Sequence, residues 1–399
     1  MDKIIEVLTR GVANIYPTKE ALGEVLRSGR KIRLYNGIDP TGPQLHLGHM
    51  VVLRKLRQFQ DLGHEVILLI GDFTARIGDP TDKQATRKQL TKEQVENNAA
   101  NYKKMIGKIL DLEKSNIRFL HNEEWSNKLK PEDMLELASN FTVSQLLERD
   151  MFQKRLKEGR EIYVHEFLYP VFQAYDSVTM DVDLEIGGND QTFNMLAGRT
   201  LMKKMKNKEK FVLAMKMLTN STGIKMGKTE GDLIALDENP KEMFGKIMAW
   251  PDSLILLGFE LLTNVSLAEI QNMEEQLNNQ NINPMELKKK LAYNIVDQLY
   301  SAEPSKAAEE EFEKVFQRRE IPSEDLQIFQ TDSKEINIID LLADSGVVSS
   351  RAEAKRLVEQ GGVDIDGIPI TNYQLPITPR DEMIIRVGKK KFLKISVNQ

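Results

Sequence analysis

Short apolar runs alternate with longer segments of helical spacing over roughly the first 230 residues of the chain. The segments 31–37 (KIRLYNG) and 64–72 (HEVILLIGD) predict strands that end at turn residues, and 47–63 predicts a helix between them. A strand, a helix and a second strand in this order imply a parallel, right-handed βαβ unit. IRFLHN at 117–122 and VDLEIGG at 182–188 predict two further strands, so this region is predicted to be α/β.

Helical periodicity dominates the other long segments. Residues 91–113 predict one amphipathic helix, 123–165 predict a helical insertion, and about 232–318 predict a helical domain. The polar stretch 319–335 contains proline and lacks periodicity, which predicts a linker. Two short helices and two strand-like segments follow it, so 336–399 is predicted to be a small α+β domain.

The composition of the 399 residues is that of a globular protein, with 41% apolar and 29% charged residues. The absence of cysteine excludes a disulfide framework, a thiolate zinc site and a cysteine nucleophile. Charges interrupt the N-terminus before a signal-peptide core can form, and the longest aliphatic run, Val66 to Ile70, is too short to span a bilayer. We therefore expect a soluble, cytoplasmic protein of two or three domains with no membrane partner.

The formal net charge of −5 conceals two basic zones. Residues 199–228 carry nine Lys or Arg and one acid, and the stretch from Arg386 to Lys394 carries five basic residues and no acid. Such zones suit polyanion partners, although a solvated surface is the alternative for either zone alone.

The motif His46-Leu47-Gly48-His49 places two of the five histidines at the start of a predicted helix. Unpaired backbone amides and the positive end of the helix dipole favour anions there. The three-residue spacing puts both imidazoles on one side of the first turn, and Gly48 lets a flat ring approach the backbone. These features indicate a nucleotide triphosphate site. The alternative is a pair of surface histidines beside a packing glycine.

Two loops carry further candidate chemistry. GIKMGKTEG at 223–231 contains Lys225 and Lys228, which suit gripping a polyphosphate during reaction and releasing it afterwards. GGNDQTFN at 187–194 joins a predicted strand to a helix, and its Asp190 could hold ribose hydroxyls. Taken alone, each pattern also fits an ordinary surface loop or a strand-to-helix turn.

A polar helix face completes the set of motifs. In YPVFQAYD at 169–176, Tyr169, Gln173 and Asp176 lie on one side of a helix. The order HLGH, GDP at 78–80, this helix, GGNDQ and KMGKT resembles the class I aminoacyl-tRNA synthetases. Among these, it is most similar to the bacterial tyrosyl-tRNA synthetase family.

The end of the chain, GVVSSRAEAKRLVEQGGVDIDG, resembles the small RNA-binding module first seen in ribosomal protein S-four. On its second predicted helix, Arg351, Lys355 and Arg356 are grouped so that they would read phosphate backbone and RNA shape. The two resemblances imply a Rossmann-type parallel-sheet catalytic domain over 1–231, with a helical insertion. An α-helical domain and a small α+β RNA-binding domain would follow.

The resemblance also implies roles for individual residues. Those implied in catalysis are His46, His49, Thr41, Lys83, Arg87, Lys225 and Lys228. Those implied in binding the substrate tyrosine are Tyr35, Asp79, Tyr169, Gln173, Asp176 and Gln191. Those implied in binding the nucleotide are Gly37, Asp39, Gly48, Gly188, Asp190 and Met226.

In the tyrosine set, Tyr35 and Asp176 would contact the phenol hydroxyl, and Asp79, Tyr169 and Gln173 would contact the ammonium group. The tyrosine carboxylate would attack the α-phosphorus of ATP and expel pyrophosphate. Because this nucleophile is already charged, no general base is required, and catalysis must come from alignment and charge neutralisation. Mg²⁺ would accompany ATP, with no dedicated protein ligands expected.

The chain departs from the family pattern at several positions. Gly227 and Thr229 replace two serines of the second signature, and Glu185 stands where many members have Gln. Asn36 and Val52 occupy positions near the ribose that are often polar or thiol-bearing. These departures concern the details of the site and not the class.

Three other functions remain as alternatives. A tryptophanyl-tRNA synthetase would share the fold and signatures, but Tyr35 and Asp176 as a hydroxyl-reading pair favour tyrosine and tRNA(Tyr). A non-catalytic RNA-binding protein with a synthetase shape would not need the intact histidines and lysines. A nucleotidyltransferase for a small metabolite would leave the RNA-binding tail unexplained. We also expect a homodimer, because relatives form one at the position of the insertion 123–165.

Overall fold

A six-stranded and a five-stranded β-sheet organise the chain, one in each of the units Met1–Ala308 and Glu309–Gln399 of the computed structural model. The structure describes residues 2–79, 90–219, 233–314, 326–370, 372–374, 376–388 and 391–397.

The strands of the first sheet are β1 (Val12–Tyr16), β2 (Arg33–Ile38), β3 (Glu65–Ile70), β4 (Ile117–His121), β5 (Leu184–Gly188) and β6 (Phe211–Met215). They lie in the order β1-β6-β5-β2-β3-β4, with β1 antiparallel to β6 and all other neighbours parallel. The predicted α/β class is confirmed. Strands β1 and β6 were not predicted, because an apolar run as short as that of β6 fits a buried helix equally well.

The strand order reverses between β2 and β5. From β2 the chain continues through β3 and β4, whereas β5 and β6 lie on the other side of β2. Ligands of open parallel sheets bind beyond the carboxyl ends of the strands at such a reversal. Tyr35 of β2 pairs with Glu185 of β5 across this boundary, so the surrounding residues are candidates for a binding site.

The helices up to residue 312 are α1 (Lys3–Thr9), α2 (Lys19–Arg27), α3 (Leu47–Asp61), α4 (Thr74–Ile77), α5 (Lys92–Ala99), α6 (Tyr102–Ile106), α7 (Glu123–Ser126), α8 (Pro131–Ser139), α9 (Val143–Leu147), α10 (Asp150–Lys157), α11 (Val164–Met180), α12 (Thr192–Lys206), α13 (Pro240–Met248), α14 (Ile255–Leu262), α15 (Leu267–Asn278), α16 (Pro284–Tyr300) and α17 (Ala302–Phe312). Short 3₁₀ helices cover Asn189–Gln191 and Asp252–Leu254. The predicted helical insertion thus corresponds to α7–α10.

The single helix predicted over 91–113 is wrong, since two short helices, α5 and α6, occupy this segment. Thr91 does cap α5, as its Oγ1 accepts from the Gln94 N–H at 3.2 Å. The side chain of Asn98 donates to the carbonyl of Pro40 at 2.9 Å, and the Tyr102 hydroxyl donates to the carbonyl of Gly42 at 2.6 Å. Both short helices are therefore fastened to the loop after β2, and these tertiary bonds override the continuous helical pattern.

Two arginines, at the end of α1 and on α3, donate to carbonyls at the C-terminus of α14. Arg10 is buried and donates to the carbonyls of Phe259 (2.9 Å) and Thr263 (2.6 Å) at the end of α14. Arg54 on α3 donates to the carbonyl of Leu261 at 3.2 Å and to that of Thr263. Since a helix leaves its last carbonyls without intrahelical partners, the two guanidinium groups complete the C-terminus of α14.

The second unit contains β7 (Leu326–Thr331), β8 (Ile336–Asn337), α18 (Ile338–Asp344), α19 (Arg351–Glu359), β9 (Val363–Ile365), β10 (Ile368–Pro369), β11 (Pro376–Ile377), β12 (Ile384–Val387) and β13 (Lys391–Val397). Five of these strands form a sheet in the order β10-β9-β12-β13-β7, in which β7 runs parallel to β13, and β8 and β11 form a separate antiparallel pair. The predicted linker 319–335 is therefore wrong over Leu326–Thr331, which form β7. This strand pairs with β13 at the far end of the chain, and such a pairing cannot be recognised from the periodicity of the β7 sequence. Residues 319–325 lie outside the described residues.

Candidate active site

The HLGH motif begins α3, as predicted. His46 is the N-cap residue, and its Nδ1 atom accepts from the Gly48 backbone N–H at 3.1 Å. Nδ1 of His49 accepts from the His46 backbone N–H at 3.2 Å, and the two ring centroids lie 4.0 Å apart. A Cβ atom at position 48 would lie only 2.8 Å from Cε1 of His46. Glycine is therefore what allows the His46 ring to fold back over the helix start.

These hydrogen bonds define the tautomers of the two rings. Because Nδ1 is an acceptor in both, neutral His46 and His49 carry their proton on Nε2. In each neutral imidazole, the ring N–H donor is therefore Nε2–H. The unpaired amides predicted at this helix start are not found, because the backbone N–H groups of residues 47–50 already donate to the Ile234 carbonyl, to Nδ1 of His46 and to the His46 carbonyl. The ring N–H groups, at the positive end of the α3 dipole, are the donors suited to phosphate oxygens.

Asp176 lies on α11 and is buried where β4 and β3 end. Its Oδ1 accepts from Trp125 Nε1 at 2.7 Å, and its Oδ2 accepts from Asn122 Nδ2 at 3.1 Å. Tyr35 of β2 is fully buried, and its hydroxyl lies 2.9 Å from Ser177 Oγ. The two residues predicted to contact a phenol hydroxyl are thus buried polar residues. Each is hydrogen-bonded to other side chains of the protein.

The electrostatics of this pair reflect burial. Desolvation raises the pKa of Asp176 well above its usual value, and the N–H donors of Trp125 and Asn122 oppose that shift. Desolvation also raises the pKa of Tyr35, and the nearby charges of Glu185 and Asp176 raise it further. In addition to desolvation, the charge of Glu185 raises the pKa of both Tyr35 and Asp176, so the two side chains share one electrostatic environment.

Asp79 is held by two side chains. Its Oδ1 lies 3.3 Å from Nη2 of Arg149, and its Oδ2 accepts from Gln191 Nε2 at 2.7 Å. Asn194 in turn donates to Gln191 Oε1 at 2.9 Å, which orients the Gln191 amide. The residues predicted at the ammonium and carboxylate groups of the substrate are therefore adjacent, and Arg149 adds a buried cation to them.

Tyr169 and Gln173, the other two predicted ammonium ligands, contact different acids. The Tyr169 hydroxyl donates to Asp39 Oδ2 at 2.8 Å, and Gln173 Nε2 donates to Glu185 Oε1 at 2.9 Å. Thr74 donates to the other oxygen of Asp39 at 2.7 Å. Burial raises the pKa of the Asp39 carboxyl to about 7, although both hydroxyl donors lower it.

The predicted nucleotide residues lie along the strand ends. Gly37 is exposed on β2, where a Cβ atom would meet only Leu69 at 3.9 Å, so the fold itself does not demand glycine there. Thr41 is exposed on the loop between β2 and α3. A Cβ atom on Gly188 would lie 2.5 Å from Oδ1 of Asp190, so this glycine makes room for the neighbouring carboxylate.

Five predicted residues lie outside the described residues. They are Lys83, Arg87, Lys225, Met226 and Lys228. Their predicted phosphate-binding roles stay predictions.

The predicted RNA-binding residues lie together on α19, and all three are exposed. Arg351 pairs with Asp340 at 2.6 Å and with Asp344 at 3.3 Å, and these acids raise its pKa. Lys355 lies 5.1 Å from the Tyr373 ring centroid. Acidic partners therefore offset part of the positive charge at Arg351.

Four residues of the site were missed by sequence reasoning. Asn122 follows β4 directly, and the rule that polar residues at parallel strand ends form sites could have found it. Trp125 is one of only two tryptophans. Arg149 and Lys210 offered no signal, because their partners Asp79 and Glu185 are distant in sequence.

Comparison with known proteins agrees with the motif order. The family model described as "tRNA synthetases class I (W and Y)" matches residues 27–317, and that described as "Tyrosine--tRNA ligase SYY-like C-terminal domain" matches residues 311–395. The tyrosine–tRNA ligase of Thermotoga maritima is 46% identical over 393 residues, covering 98% of this chain and 97% of that protein. That of Aquifex aeolicus is 42% identical and covers 98% of each chain.

Solved structures show the same fold at low identity. The tyrosyl-tRNA synthetase of Archaeoglobus fulgidus, in complex with L-tyrosine, aligns with a TM-score of 0.60 at 22% identity, covering 77% of this chain and 99% of that one. A truncated mitochondrial tyrosyl-tRNA synthetase of Aspergillus nidulans aligns with a TM-score of 0.65, covering 79% and 94%. Given the full-length relatives and the two matching family models, the chain belongs to the tyrosyl-tRNA synthetase family of class I aminoacyl-tRNA synthetases.

Proposed function

We propose that this protein is a tyrosine–tRNA ligase that works at the strand ends described above. L-Tyrosine and ATP form tyrosyl-adenylate and pyrophosphate, and the tyrosyl group then passes to the 3′ end of tRNA(Tyr). The observation that carries the choice of amino acid is the buried polar pair Tyr35 and Asp176, beside the sheet reversal that the HLGH helix also adjoins. A pocket for an apolar side chain would not bury two such groups.

The first step is a displacement at the α-phosphorus of ATP. The tyrosine carboxylate forms the new P–O bond while the bond to the leaving pyrophosphate breaks. Nε2–H of His46 and His49, at the positive end of the α3 dipole, would stabilise charge on the phosphates. Lys83, Arg87, Lys225 and Lys228 would bind the departing pyrophosphate. In the second step, the terminal ribose hydroxyl of the tRNA attacks the mixed anhydride carbonyl, and AMP leaves.

The ammonium group of tyrosine would bind to acceptors that the protein already orients. The Tyr169 O–H is used as a donor to Asp39, so the lone pairs of the Tyr169 oxygen remain for an incoming N–H. The Asp79 carboxylate, which accepts from Arg149 and Gln191, would be a second acceptor near the ammonium group. Gln191 would lie near the substrate carboxylate, and Asp190 at the ribose.

Mg²⁺ would enter with ATP. Among the described residues, no three His, Cys, Asp or Glu side chains are grouped as metal ligands. Phosphate oxygens and water would therefore supply most of its ligands, as is usual for Mg²⁺ at nucleotide sites. When bound, the ion would neutralise charge on the phosphates.

The helical insertion would form a symmetric homodimer. Large apolar side chains are exposed along it at Leu135, Val143, Leu156, Tyr163 and Val164. Five exposed large apolar side chains within one segment favour an interaction surface, and a second copy of the chain offers a self-complementary partner.

The tail would bind tRNA through α19, and the whole reaction would take place in the cytoplasm. The helices that the structure describes include none that could cross a membrane. Since Asp340 and Asp344 already pair with Arg351, Arg356 should contribute more to phosphate binding than Arg351 does.

Tyr35→Phe should lower the ratio of tyrosine to phenylalanine activation about tenfold, and Asp176→Ala should lower it further. A missing hydroxyl partner leaves a buried polar group unpaired, which costs about 1–3 kcal/mol. ATP–pyrophosphate exchange with Tyr, Phe and Trp in parallel measures the ratio. Tyr300→Phe, which removes a hydroxyl bonded to the Glu238 carbonyl, is the matched control. Unchanged ratios in both pocket variants would mean that the phenol lies elsewhere.

Asp39→Asn should change the pH dependence of stability. The pKa of Asp39 in the folded protein, about 7, exceeds its value in the unfolded chain. The carboxyl therefore stabilises the folded state fully below about pH 4, and this stabilisation is lost as the pH rises through 7. Between pH 5 and 8 the wild type should lose about 1–2 kcal/mol of unfolding free energy relative to Asp39→Asn, less than the full linkage because the carboxyl is only partly buried. Urea titrations at several pH values measure this difference, and parallel curves would contradict the assignment.

Val164→Asp should convert the dimer to a monomer, since a carboxylate would have to be desolvated in the interface. Sedimentation velocity measures the mass. Ile368→Asp is the control, because Ile368 is similarly exposed (70% against 77% for Val164) but lies in the second unit. Dissociation by both substitutions, or by neither, would exclude the insertion as the dimer surface.

Ending the chain after residue 314 should leave tyrosine-dependent pyrophosphate exchange nearly intact while tRNA charging falls sharply. The cut precedes β7, because ending the chain near Ser333 would leave β7 without its partner β13. The salt dependence of tRNA binding should also decrease, as fewer phosphates are neutralised. Full charging by the shortened chain, or equal loss of both activities, would contradict this assignment.

A further inference from the structure

The ammonium group of Lys210 is completely buried behind the proposed tyrosine pocket. It donates to Ser177 Oγ at 2.8 Å, to the carbonyl of Met195 at 3.2 Å and to the Glu185 carboxylate. A Cβ atom on Gly198 would lie 2.4 Å from Nζ of Lys210, so α12 carries a glycine where the ammonium needs space. All three N–H donors of the lysine therefore have acceptors in a cavity fitted to them.

On one side, Lys210 is connected to Gln173 through Glu185. Glu185 is buried, and its Oε1 accepts from Gln173 Nε2 at 2.9 Å. A carboxylate can only accept, so it fixes which end of the Gln173 amide points toward it. The carbonyl Oε1 of Gln173 is then the atom presented away from Glu185, which is the acceptor that a substrate ammonium requires. A glutamine at position 185 could accept or donate and would allow either orientation.

On the other side, Lys210 is connected to Tyr35 through Ser177. Lysine can only donate, so Ser177 Oγ accepts from Lys210, and its own proton can pass to the Tyr35 oxygen 2.9 Å away. In that arrangement Tyr35 is a donor and Asp176 is an acceptor. Glu185 is also an acceptor for the Tyr35 proton, since, in addition to burial, a hydrogen bond with it raises the pKa of Tyr35, and a bound phenol oxygen would take the place of Glu185 as that acceptor. One donor and one acceptor are what a phenol hydroxyl can satisfy together, and phenylalanine can satisfy neither.

We propose that Lys210 and Glu185 are positioning residues that set the hydrogen-bond direction of the tyrosine pocket at both ends. Through Glu185 they present the carbonyl of Gln173 to the ammonium group, and through Ser177 they present the O–H of Tyr35 to the phenol. This proposal rests on the proposed pocket. It also gives a reason for a carboxylate at position 185, since Glu185 compensates the charge of the buried ammonium of Lys210.

Stability alone does not account for the pair. The pKa of Lys210 is lowered, because desolvation by burial outweighs the Glu185 carboxylate, which raises it. A buried ion pair can often be replaced by uncharged residues of similar volume with little loss of stability, whereas removing one partner is costly. A substitution of both residues therefore separates the positioning role from the folding role.

The test is the double variant Lys210→Met with Glu185→Gln, in full-length protein. We expect tyrosine-over-phenylalanine discrimination in pyrophosphate exchange to fall about tenfold. The preference for tyrosine over its des-amino analogue, measured by competitive inhibition, should fall by about the same factor. The KM for ATP should stay within about twofold. Lys55→Met is the control, because it removes another buried ammonium, bonded to the Val7 carbonyl, with no contact to the pocket residues.

Ser177→Ala supplies a second test that is small enough to keep the fold. It separates Lys210 from Tyr35 only, so discrimination against phenylalanine should narrow while the preference for the ammonium group is retained. Wild-type values of both preferences in the double variant, or an unchanged phenylalanine ratio in Ser177→Ala, would overturn the proposal. Equal losses in Lys55→Met would do the same. If Tyr35→Phe is itself without effect, the pocket is wrong; if Tyr35→Phe acts and these variants do not, only the positioning role fails.

Discussion

The site depends on the rule that charges taken out of water must be paired within the protein. Asp176, Glu185 and Lys210 are all buried near the sheet reversal, and each is matched by donors or acceptors from another element. Such a network gives little net stability, because desolvation cancels most of the attraction. What it does give is a fixed arrangement of protons and lone pairs, which is the condition for electrostatic preorganisation.

The same arrangement recurs at the nucleotide end of the site. His46 and His49 each use Nδ1 to accept a backbone N–H, which leaves Nε2–H as the donor. Tyr169 uses its proton on Asp39 and keeps its lone pairs. Each of these side chains can both donate and accept a hydrogen bond. An internal hydrogen bond occupies one of these two roles, so the role that remains for a ligand is fixed. The reaction needs no general base, and groups with fixed polarity are what it can use.

The sequence predicted the parts of this site that are local. HLGH and the helix over 169–176 are short patterns, and a parallel sheet brings their strand ends together by a general rule. The contacts of Lys210 with Glu185 and of Arg149 with Asp79 join distant segments, so no spacing or periodicity reports them. The same reason explains β7, which pairs with a strand at the far end of the chain, and the division of 91–113, which tertiary hydrogen bonds impose.

The position of α3 links these observations to the helices that follow the sheet. Its first residues carry the two histidines, and Arg54, two turns later, donates to the last carbonyls of α14. Arg10 donates to the same helix end from the beginning of the chain. Moving the histidines relative to α14 would leave several buried carbonyls unpaired, at a cost of about 1–3 kcal/mol each. The histidines are therefore mounted on a fixed element, and adjustment to successive ligands falls to groups outside α3.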